Sequence, residues 1–365
     1  MKFKIVRSKF LEGLKKVQNI VGAKGSMLII QNVLIEAKEK ELILTTTDLD
    51  ISIRSHVPCE VTEEGATTLP VKLLVNAIAK SPEGPIEVEV GAADCAFISA
   101  GSAEFKLNGM SVVDFPSLPE DQNSFEYVLP QMTLREMLRK TAYAASQDDT
   151  RKTLKGVLMS FRDGKLTMVA TDGRRLALVE HEIELPEDAQ KDIILPTKVV
   201  SELQRSLSGD GDARITIEKS QISFNLGETR LYSKLLDEVY PNYRQVIPNN
   251  CTERVVVDRQ LFLAALDRVS VMTMDESNST CLTFDANQLI VASSKSSEAG
   301  SARDIVPIKY DGAKIDIVFN PSFVMDPLKA IDEDEVTIEL NNGTSPAMIK
   351  CSVPFLYVMM PLRIN

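Results

Sequence analysis

The side chains best suited to chemistry in this 365-residue chain are three aspartates. Asp48 and Asp50 lie in the segment TTTDLDIS, and Asp172 lies in VATDGRR. Paired carboxylates hold the metal ions of two-metal nucleases and polymerases, so a metal-dependent enzyme is one hypothesis. Asp48 and Asp172 occupy matching places in two repeated segments, however, and this match favours a structural role at a turn or strand end.

Other motifs of known chemistry are missing from the sequence. It contains no GxxxxGK(S/T) phosphate loop, no HExxH metal motif and no GxSxG nucleophile elbow. His56 and His181 have no acid, base or metal partner at a recognisable spacing. The five cysteines are far apart and form no CxxC pair, as is typical of a reduced cytosolic protein without disulfides or structural zinc. We therefore expect no cofactor, no metal and no catalytic residues.

Composition and charge restrict the classes of function. With 44% hydrophobic and 25% charged residues, the chain is expected to fold into two or three globular domains. Its formal net charge of −11 excludes a uniformly basic surface, so only a localised basic face could hold nucleic acid. Aromatic residues make up 5% and tryptophan is absent, which favours contact with duplex phosphates over base stacking. The amino terminus lacks a signal-peptide pattern and no apolar run exceeds six residues, which predicts a cytoplasmic protein without a membrane partner.

The chain contains a threefold internal repeat. Amphipathic helices are predicted at three places about 125 residues apart: Ser8 to Val21, Thr133 to Ala145, and Asp258 to Met272. Each is followed by a predicted hairpin and then by a proline that opens a second helix, at Pro70, Pro196 and Pro321. The pattern predicts an α+β fold of three similar domains, each with two helices packed on antiparallel sheet. We place the domains at residues 1–122, 123–250 and 251–365.

Positive charge is concentrated on the predicted helices. The six helices carry a net charge of +7 and the rest of the chain −18. A basic helical face on an acidic body is typical of a surface that follows phosphates, although lysine and arginine also decorate ordinary solvated helices, and charge alone leaves both interpretations open. Six helices packed at 8–10 Å would leave almost no central hole, whereas twelve helices from two chains would leave a hole of about 25 Å. B-DNA is ~20 Å across, so a ring around a duplex requires at least a dimer.

Several segments, in their order and spacing, resemble the bacterial DNA polymerase III β subunits, the sliding clamps. They are DFPSL, VATDGRRLAL, YPNYRQVIP and the terminal YVMMPLRIN, and the similarity spans the whole chain. The resemblance implies a non-catalytic subunit that forms half of a dimeric ring, with helices inside and sheets outside. It also implies that the ring encircles double-stranded DNA without sequence preference and confers processivity. The implied partners are the DNA polymerase III α subunit, the clamp loader and other proteins with a clamp-binding motif.

The resemblance implies three sets of contact residues. The partner-binding pocket would comprise Leu154, Thr171, Gly173, Arg174, Arg175, Leu176, Pro241, Arg244, Val246, Asn320, Phe323, Ser345, Val358, Met360, Pro361 and Leu362. DNA contacts would fall on Lys24, Gln147, Arg151, Lys152 and Lys198. The ring joint would place Leu73, Ala77, Phe105 and Leu107 of one copy against Val271 and Met272 of the other.

The sequence also departs from the family pattern. Arg174 stands where histidine is frequent, so partner affinities are expected to differ. The segment Ser26 to Ile30 lacks a proline that relatives commonly carry, and this difference affects the expected loop at Lys24. Beside the clamp and the metal-dependent enzyme, a third hypothesis is a repeat scaffold that binds only proteins. Retention on nicked circular DNA, lost when the DNA is linearised, would distinguish a clamp from such a scaffold.

Overall fold

The computed structural model describes residues 1–21, 27–118, 125–184, 190–273, 279–293, 300–352 and 354–363. They form two compact units, one made of residues 1–135 and 201–235 and the other of residues 136–200 and 236–365. None of the helices built from these residues is long and apolar enough to cross a membrane.

Six α-helices occur in the described part of the chain, two for each predicted repeat. They are α1 (Arg7–Val17), α2 (Val71–Lys80), α3 (Gln131–Thr141), α4 (Thr197–Ser206), α5 (Arg259–Ser270) and α6 (Pro321–Ala330). The first helix of each repeat is shorter than the sequence pattern predicted. After α1 the apolar pattern continues through a 3₁₀ turn, Gln18–Ile20, which still buries Ile20, and before α5 the carboxylate of Asp258 caps the helix by accepting from the Leu261 N–H.

The first repeat contributes nine strands. They are β1 (Lys2–Val6), β2 (Asn32–Lys38), β3 (Glu41–Thr47), β4 (Ile51–Pro58), β5 (Glu60–Glu63), β6 (Gly65–Pro70), β7 (Pro85–Val90), β8 (Cys95–Ala100) and β9 (Ala103–Asn108). One sheet has the order β5-β1-β7-β8-β9, so β9 lies at its edge. Helix α1 packs on β3 and β4 and against α2. A Cβ atom at Gly13 of α1 would lie 2.4 Å from Val57, so the close approach of helix and sheet requires glycine there.

The second repeat contributes eight strands, and its two sheets belong to different units. The strands are β10 (Phe125–Pro130), β11 (Gly156–Arg162), β12 (Lys165–Thr171), β13 (Arg175–Glu182), β14 (Lys191–Pro196), β15 (Asp212–Ile217), β16 (Gln221–Asn225) and β17 (Thr229–Lys234). In the first unit, strands of two repeats form one eight-stranded sheet in the order β10-β15-β16-β17-β4-β3-β2-β6. Strand β17 pairs antiparallel with β4, and Ser233 lies opposite Ile51.

The third repeat contributes β18 (Glu253–Asp258), β19 (Thr280–Asp285), β20 (Gln288–Ser293), β21 (Arg303–Lys309), β22 (Ile315–Phe319), β23 (Glu335–Leu340), β24 (Ala347–Lys350) and β25 (Phe355–Met359). In the second unit they continue the sheet of β11 to β14, in the order β14-β11-β12-β13-β25-β24-β23-β18-β21-β20-β19-β22. Strand β25 pairs antiparallel with β13, and Met359 lies opposite Arg175. Both units therefore join adjacent repeats through the same kind of strand pair.

Candidate protein-binding groove

The candidate groove is built around a tight turn between β12 and β13. The Thr171 hydroxyl donates to the carbonyl of Arg175 (2.5 Å) and accepts from the N–H of Gly173 (3.0 Å). A carboxylate oxygen of Asp172 accepts from the N–H groups of Arg174 (2.9 Å) and Arg175 (3.1 Å). Gly173 has φ 85, in the left-handed region that glycine adopts without steric cost. The turn is thus fixed by its own side chains and presents Gly173 and Arg174 to solvent.

The side chain of Arg175 fixes the position of this turn. Its side chain is 11% exposed and forms ion pairs with Asp172 and Asp326. The guanidinium also donates to the carbonyl of Tyr143 (2.7 Å) and stacks 4.4 Å from the ring centre of Phe323. Burial raises the pKa of the Tyr143 phenol well above its usual value. Because these contacts occupy its donors, Arg175 positions the turn. The exposed arginines among the predicted pocket residues are Arg174 and Arg244.

The floor of the groove is apolar. Leu176 of β13 lies opposite Val358 of β25, and both are buried. They belong to one cluster with Leu158, Val169 and Met348, against which the following side chains also pack: Leu178, Tyr240, Tyr243, Ile247, Cys251 and Leu356. The linker after the second repeat thus lies on the sheet that carries the turn.

Exposed apolar side chains form one lip of the groove. Met360 is 45% exposed and Leu362 37% exposed. Their backbones are fixed, since the Met360 N–H donates to the carbonyl of Arg174 (2.9 Å) and the Leu362 N–H donates to Val318 (2.8 Å). Val246 and Pro241 are exposed on the linker. Ordered backbone with exposed apolar side chains is what a peptide-binding surface requires.

A cavity of about 460 Å³ lies between the linker and strands β11 and β14. Its lining includes the predicted Pro241 and Arg244, and the following residues were not predicted: Leu158, Ser160, Arg162, Asp192, Ile194, Glu238, Val239, Tyr240, Asn242 and Tyr243. Asp192 accepts two hydrogen bonds from Arg162 (2.8 and 2.9 Å) and one from Ser160 (2.7 Å). Partial burial acts to raise the pKa of Asp192, but these hydrogen bonds outweigh it and lower the pKa.

The remaining predicted pocket residues lie on turns and helix ends of the same unit. Leu154 ends a 3₁₀ turn, and its carbonyl accepts from the Ser146 N–H. Asn320 caps α6 through its side chain. Ser345 lies in a turn after β23, where its N–H donates to Asn342 (2.9 Å). Alternation along GVLMSFR was the signal that could have identified Ser160 and Arg162, since it places them on one face of β11.

The predicted DNA contacts lie in the second unit, except for Lys24, which is outside the described residues. Gln147, Arg151, Lys152 and Lys198 are exposed. Arg151 is also part of the groove's support, because it donates to the carbonyl of Asp172 (2.8 Å).

The side chains of the predicted ring-joint residues are exposed or half-buried, with one exception. Leu73 is 57% exposed on α2 and Val271 is 65% exposed after α5. Phe105 and Leu107 are half-buried on the edge strand β9, and Met272 is half-buried. Ala77 is only 8% exposed and lies on α2, which packs against α1. Its place at the ring joint stays a prediction.

The aspartates considered for metal chemistry form hydrogen bonds within turns. Asp172 accepts from two backbone N–H groups, as described above, and Asp48 does the same for Asp50 (3.0 Å) and Ile51 (2.8 Å). Within the ranges that the structure describes, no group of three or more His, Cys, Asp or Glu side chains is placed to hold a metal ion. The geometry agrees with the structural role favoured by the repeat.

Three family models match the chain in succession. The DNA polymerase III beta subunit N-terminal domain matches residues 1–119, its central domain residues 128–242 and its C-terminal domain residues 244–363. The structure accordingly consists of three α+β clamp domains.

Known proteins are similar over the full length. A beta sliding clamp of Chlamydia trachomatis is 33% identical over all of this chain and 88% of its own length, and that of Proteus mirabilis is 31% identical over all of both chains. Among solved structures, the sliding clamp of Bartonella birtlesii bound to griselimycin has a TM-score of 0.93 at 33% identity. That of Bacillus subtilis has a TM-score of 0.95 at 27% identity, and each comparison covers 100% of both chains.

Proposed function

The chain belongs to the family of DNA polymerase III beta subunits, and we propose that two copies join head to tail into a ring that encircles duplex DNA. Its function is that of a DNA sliding clamp, and the chain is non-catalytic. In this proposal the ring works in the cytoplasm, tethers the α subunit of DNA polymerase III, and is opened by the clamp loader. The threefold α+β repeat, matched by family models from residue 1 to residue 363, carries the proposal.

We assign the domains to residues 1–122, 123–250 and 251–365, after the similar segments DFPSL and VYPNY. The ring joint is assigned to edge strand β9 and the exposed part of α2 in one copy, facing the end of α5 in the other. Exposed Leu73 and Val271 support this assignment, because an obligate interface needs apolar surface that a single chain leaves uncovered.

DNA is held topologically, so its contacts are expected to be weak and spread out. Each neutralised phosphate adds salt-sensitive affinity that would resist sliding. The exposed side chains of Gln147, Arg151, Lys152 and Lys198 in the second unit fit this requirement. Lys24 is proposed as a further contact.

Partners are proposed to bind the groove formed by the Thr171–Leu176 segment, the linker and the terminal segment. Its apolar floor and exposed arginines suit a short peptide with hydrophobic anchors and an acidic or amide group. Polymerases and other proteins with a clamp-binding motif would share this one surface.

The ring is tested by combining Phe105→Asp with Met272→Asp. Carboxylates buried without partners at the joint should separate the copies. Sedimentation should report the monomer mass, and the protein should no longer be retained on nicked circular DNA after loading. Val113→Asp, at a valine that is 87% exposed, is the matched control and should remain a dimer. An unchanged mass for the double variant would refute the joint, and wild-type retention that survives linearisation would refute the ring.

A further inference from the structure

Helix α6 contains a proline in its interior. Pro327 is buried and lies well inside the helix, which runs from Pro321 to Ala330. Proline has no backbone N–H, so the carbonyl of Phe323, four residues earlier, lacks the donor that a regular α-helix supplies. A backbone carbonyl that is shielded from water without a donor destabilises a fold. Helix α6 is therefore stabilised if another element supplies a donor at this point.

The donor comes from the terminal strand β25. The side chain of Tyr357 is fully buried, and its hydroxyl donates to the carbonyl of Phe323 (2.8 Å). The ring of Tyr143 packs beside it, with 5.9 Å between the ring centres. Burial raises the pKa of the Tyr357 phenol, so the hydroxyl keeps the proton that it donates. A phenol of β25 thus takes the place of the N–H that Pro327 lacks.

Helix α6 contacts Arg175 at two points close to this carbonyl. The ring centre of Phe323 lies 4.4 Å from the Arg175 guanidinium, and Asp326 forms an ion pair with it. Both residues lie within one helical turn of the carbonyl that Tyr357 binds. A shift of α6 away from β25 would therefore move the ring and the carboxylate together. Arg175 would lose the contacts that allow it to fix the turn beside the groove.

The groove and this hydrogen bond lie on opposite faces of the same two strands. Leu176 and Val358, which form part of the groove floor, lie opposite each other on β13 and β25, and the next pair is Ala177 with Tyr357. Successive side chains of a strand point to opposite faces, so Tyr357 points away from the groove and towards α6. The same strand leads directly to Met360 of the exposed lip. Contacts on the helix side can therefore set the shape of the groove.

We propose that Tyr357 is a positioning residue of the partner groove. Its hydroxyl replaces the missing N–H of Pro327, holds α6 against β25, and so keeps Arg175 where it fixes the Thr171–Arg175 turn. All of these residues belong to the second unit. Because Tyr357 is fully buried, it acts without touching the partner. This role rests on the proposed function of the groove and adds to it a residue that supports binding from the opposite face of the sheet.

The test measures binding of the purified DNA polymerase III α subunit to the immobilised full-length protein by surface plasmon resonance. Tyr357→Phe removes one hydroxyl and should weaken binding about three- to tenfold, because the Phe323 carbonyl loses its donor and α6 is no longer held. The affinity should return to within about twofold of wild type when Tyr357→Phe is combined with Pro327→Ala, since alanine restores an N–H that can donate to the same carbonyl. Pro327→Ala alone should bind like wild type, because a carbonyl can accept two hydrogen bonds.

Tyr310→Phe is the matched control for a general loss of stability. Tyr310 is also buried in the second unit, and its hydroxyl donates to Glu253 (2.8 Å) and to the carbonyl of Ala313 (2.7 Å), neither of which belongs to the groove. Both Tyr→Phe variants should lower the melting temperature, measured by circular dichroism. Only Tyr357→Phe should weaken binding of the α subunit.

Leu362→Asp tests the groove itself, because it places a charge on the exposed lip, and it should weaken binding at least about tenfold. If Leu362→Asp has no effect, the groove assignment is refuted, and the role of Tyr357 with it. If Leu362→Asp weakens binding, three results would overturn the role of Tyr357 alone. They are wild-type affinity in Tyr357→Phe, equal weakening by Tyr310→Phe, and a double variant that binds as weakly as Tyr357→Phe.

Discussion

The turns at Thr47–Ile51 and Thr171–Arg175 have the same backbone hydrogen bonds and differ in the side chains that they expose. In each, a threonine hydroxyl and an aspartate carboxylate satisfy the local N–H groups, so the fold of the turn needs only these two residues. The two positions after the aspartate differ between the turns: Leu49 and Asp50 in one, Gly173 and Arg174 in the other. The comparison shows that the repeated part of the sequence specifies the frame, while these two positions set the side chains that the frame presents.

The two turns also differ in how they are anchored. In the second unit, Arg175 ties the turn to α6 through Asp326 and to the end of the α3 region through Tyr143. In the first unit the corresponding residue is Ile51, which is buried in the apolar core. The proposed partner groove is therefore supported by a polar network with fixed geometry, which suits recognition of a peptide by hydrogen bonds.

The largest difference between the two units should appear when the terminal segment is removed. Deleting residues 360–365 takes away Met360 and Leu362, the exposed apolar lip of the proposed partner groove, and leaves the Thr47–Ile51 turn intact. Loss of central apolar anchors should weaken partner binding at least about 30-fold. Stimulation of purified DNA polymerase III α subunit on primed circular DNA measures the loss.

Sedimentation of the same truncated protein supplies the control, because the proposed ring joint is elsewhere and the dimer mass should persist. Stimulation at the wild-type level by a dimeric truncated protein would contradict the assignment of the partner groove. Loss of the dimer would show instead that the terminal segment stabilises the ring.

Exchanging the left-handed residues of the two turns, Leu49 (φ 79) and Gly173 (φ 85), should affect stability unequally. Gly173→Leu places a side chain at φ 85, where a new Cβ would lie 3.0 Å from the Arg151 guanidinium, and should destabilise the protein by about 1–2 kcal/mol. Leu49→Gly relieves the same strain but adds freedom to the unfolded chain, so its net effect should lie within about 1 kcal/mol of zero. Urea unfolding of both variants measures the two effects. Equal destabilisation by both would refute the claim that Leu49 is strained.

The helices, the hairpins and the role of the turn aspartates could be predicted from the sequence, because each depends on local pattern. Helices begin at or directly after Pro70, Pro196 and Pro321, as the sequence predicted. The match of Asp48 with Asp172 was enough to favour a role in turns over a role as metal ligands. The family resemblance then supplied the arrangement of the repeats.

What could not be predicted depends on contacts between distant segments. Arg175 was expected on the groove, but its environment is set by Asp326 of α6, 151 residues later. Ala77 was expected at the ring joint, and its 8% exposure depends on how α2 packs in the fold. Leu49 gave no signal of positive φ, since leucine does not favour it and the hydrogen bonds that impose it come from its neighbours.

The smallest difference between the two units concerns one cross-strand ion pair beside the linker of the second unit. Arg162 of β11 binds Asp192 of β14 with two hydrogen bonds, whereas in the first repeat Lys38 pairs with Glu36 of its own strand, β2. Both partners in the second unit are nearly half exposed, so solvent screening limits the effect of Asp192→Asn to about 1 kcal/mol or less.

The pH dependence gives this last prediction its sign. Since the pKa of Asp192 is lowered in the folded state, its stabilising contribution is fully present above the unfolded value of about 3.9 and is lost as pH falls through the lower folded value. The difference in unfolding free energy between wild type and Asp192→Asn, measured by urea titration, should therefore be constant from about pH 5 to 7 and shrink below about pH 4. The matched variant Glu36→Gln removes a pair within one strand and should change stability less at every pH. A difference that grows on acidification would mean that Asp192 is held in its neutral form, contrary to its hydrogen bonds.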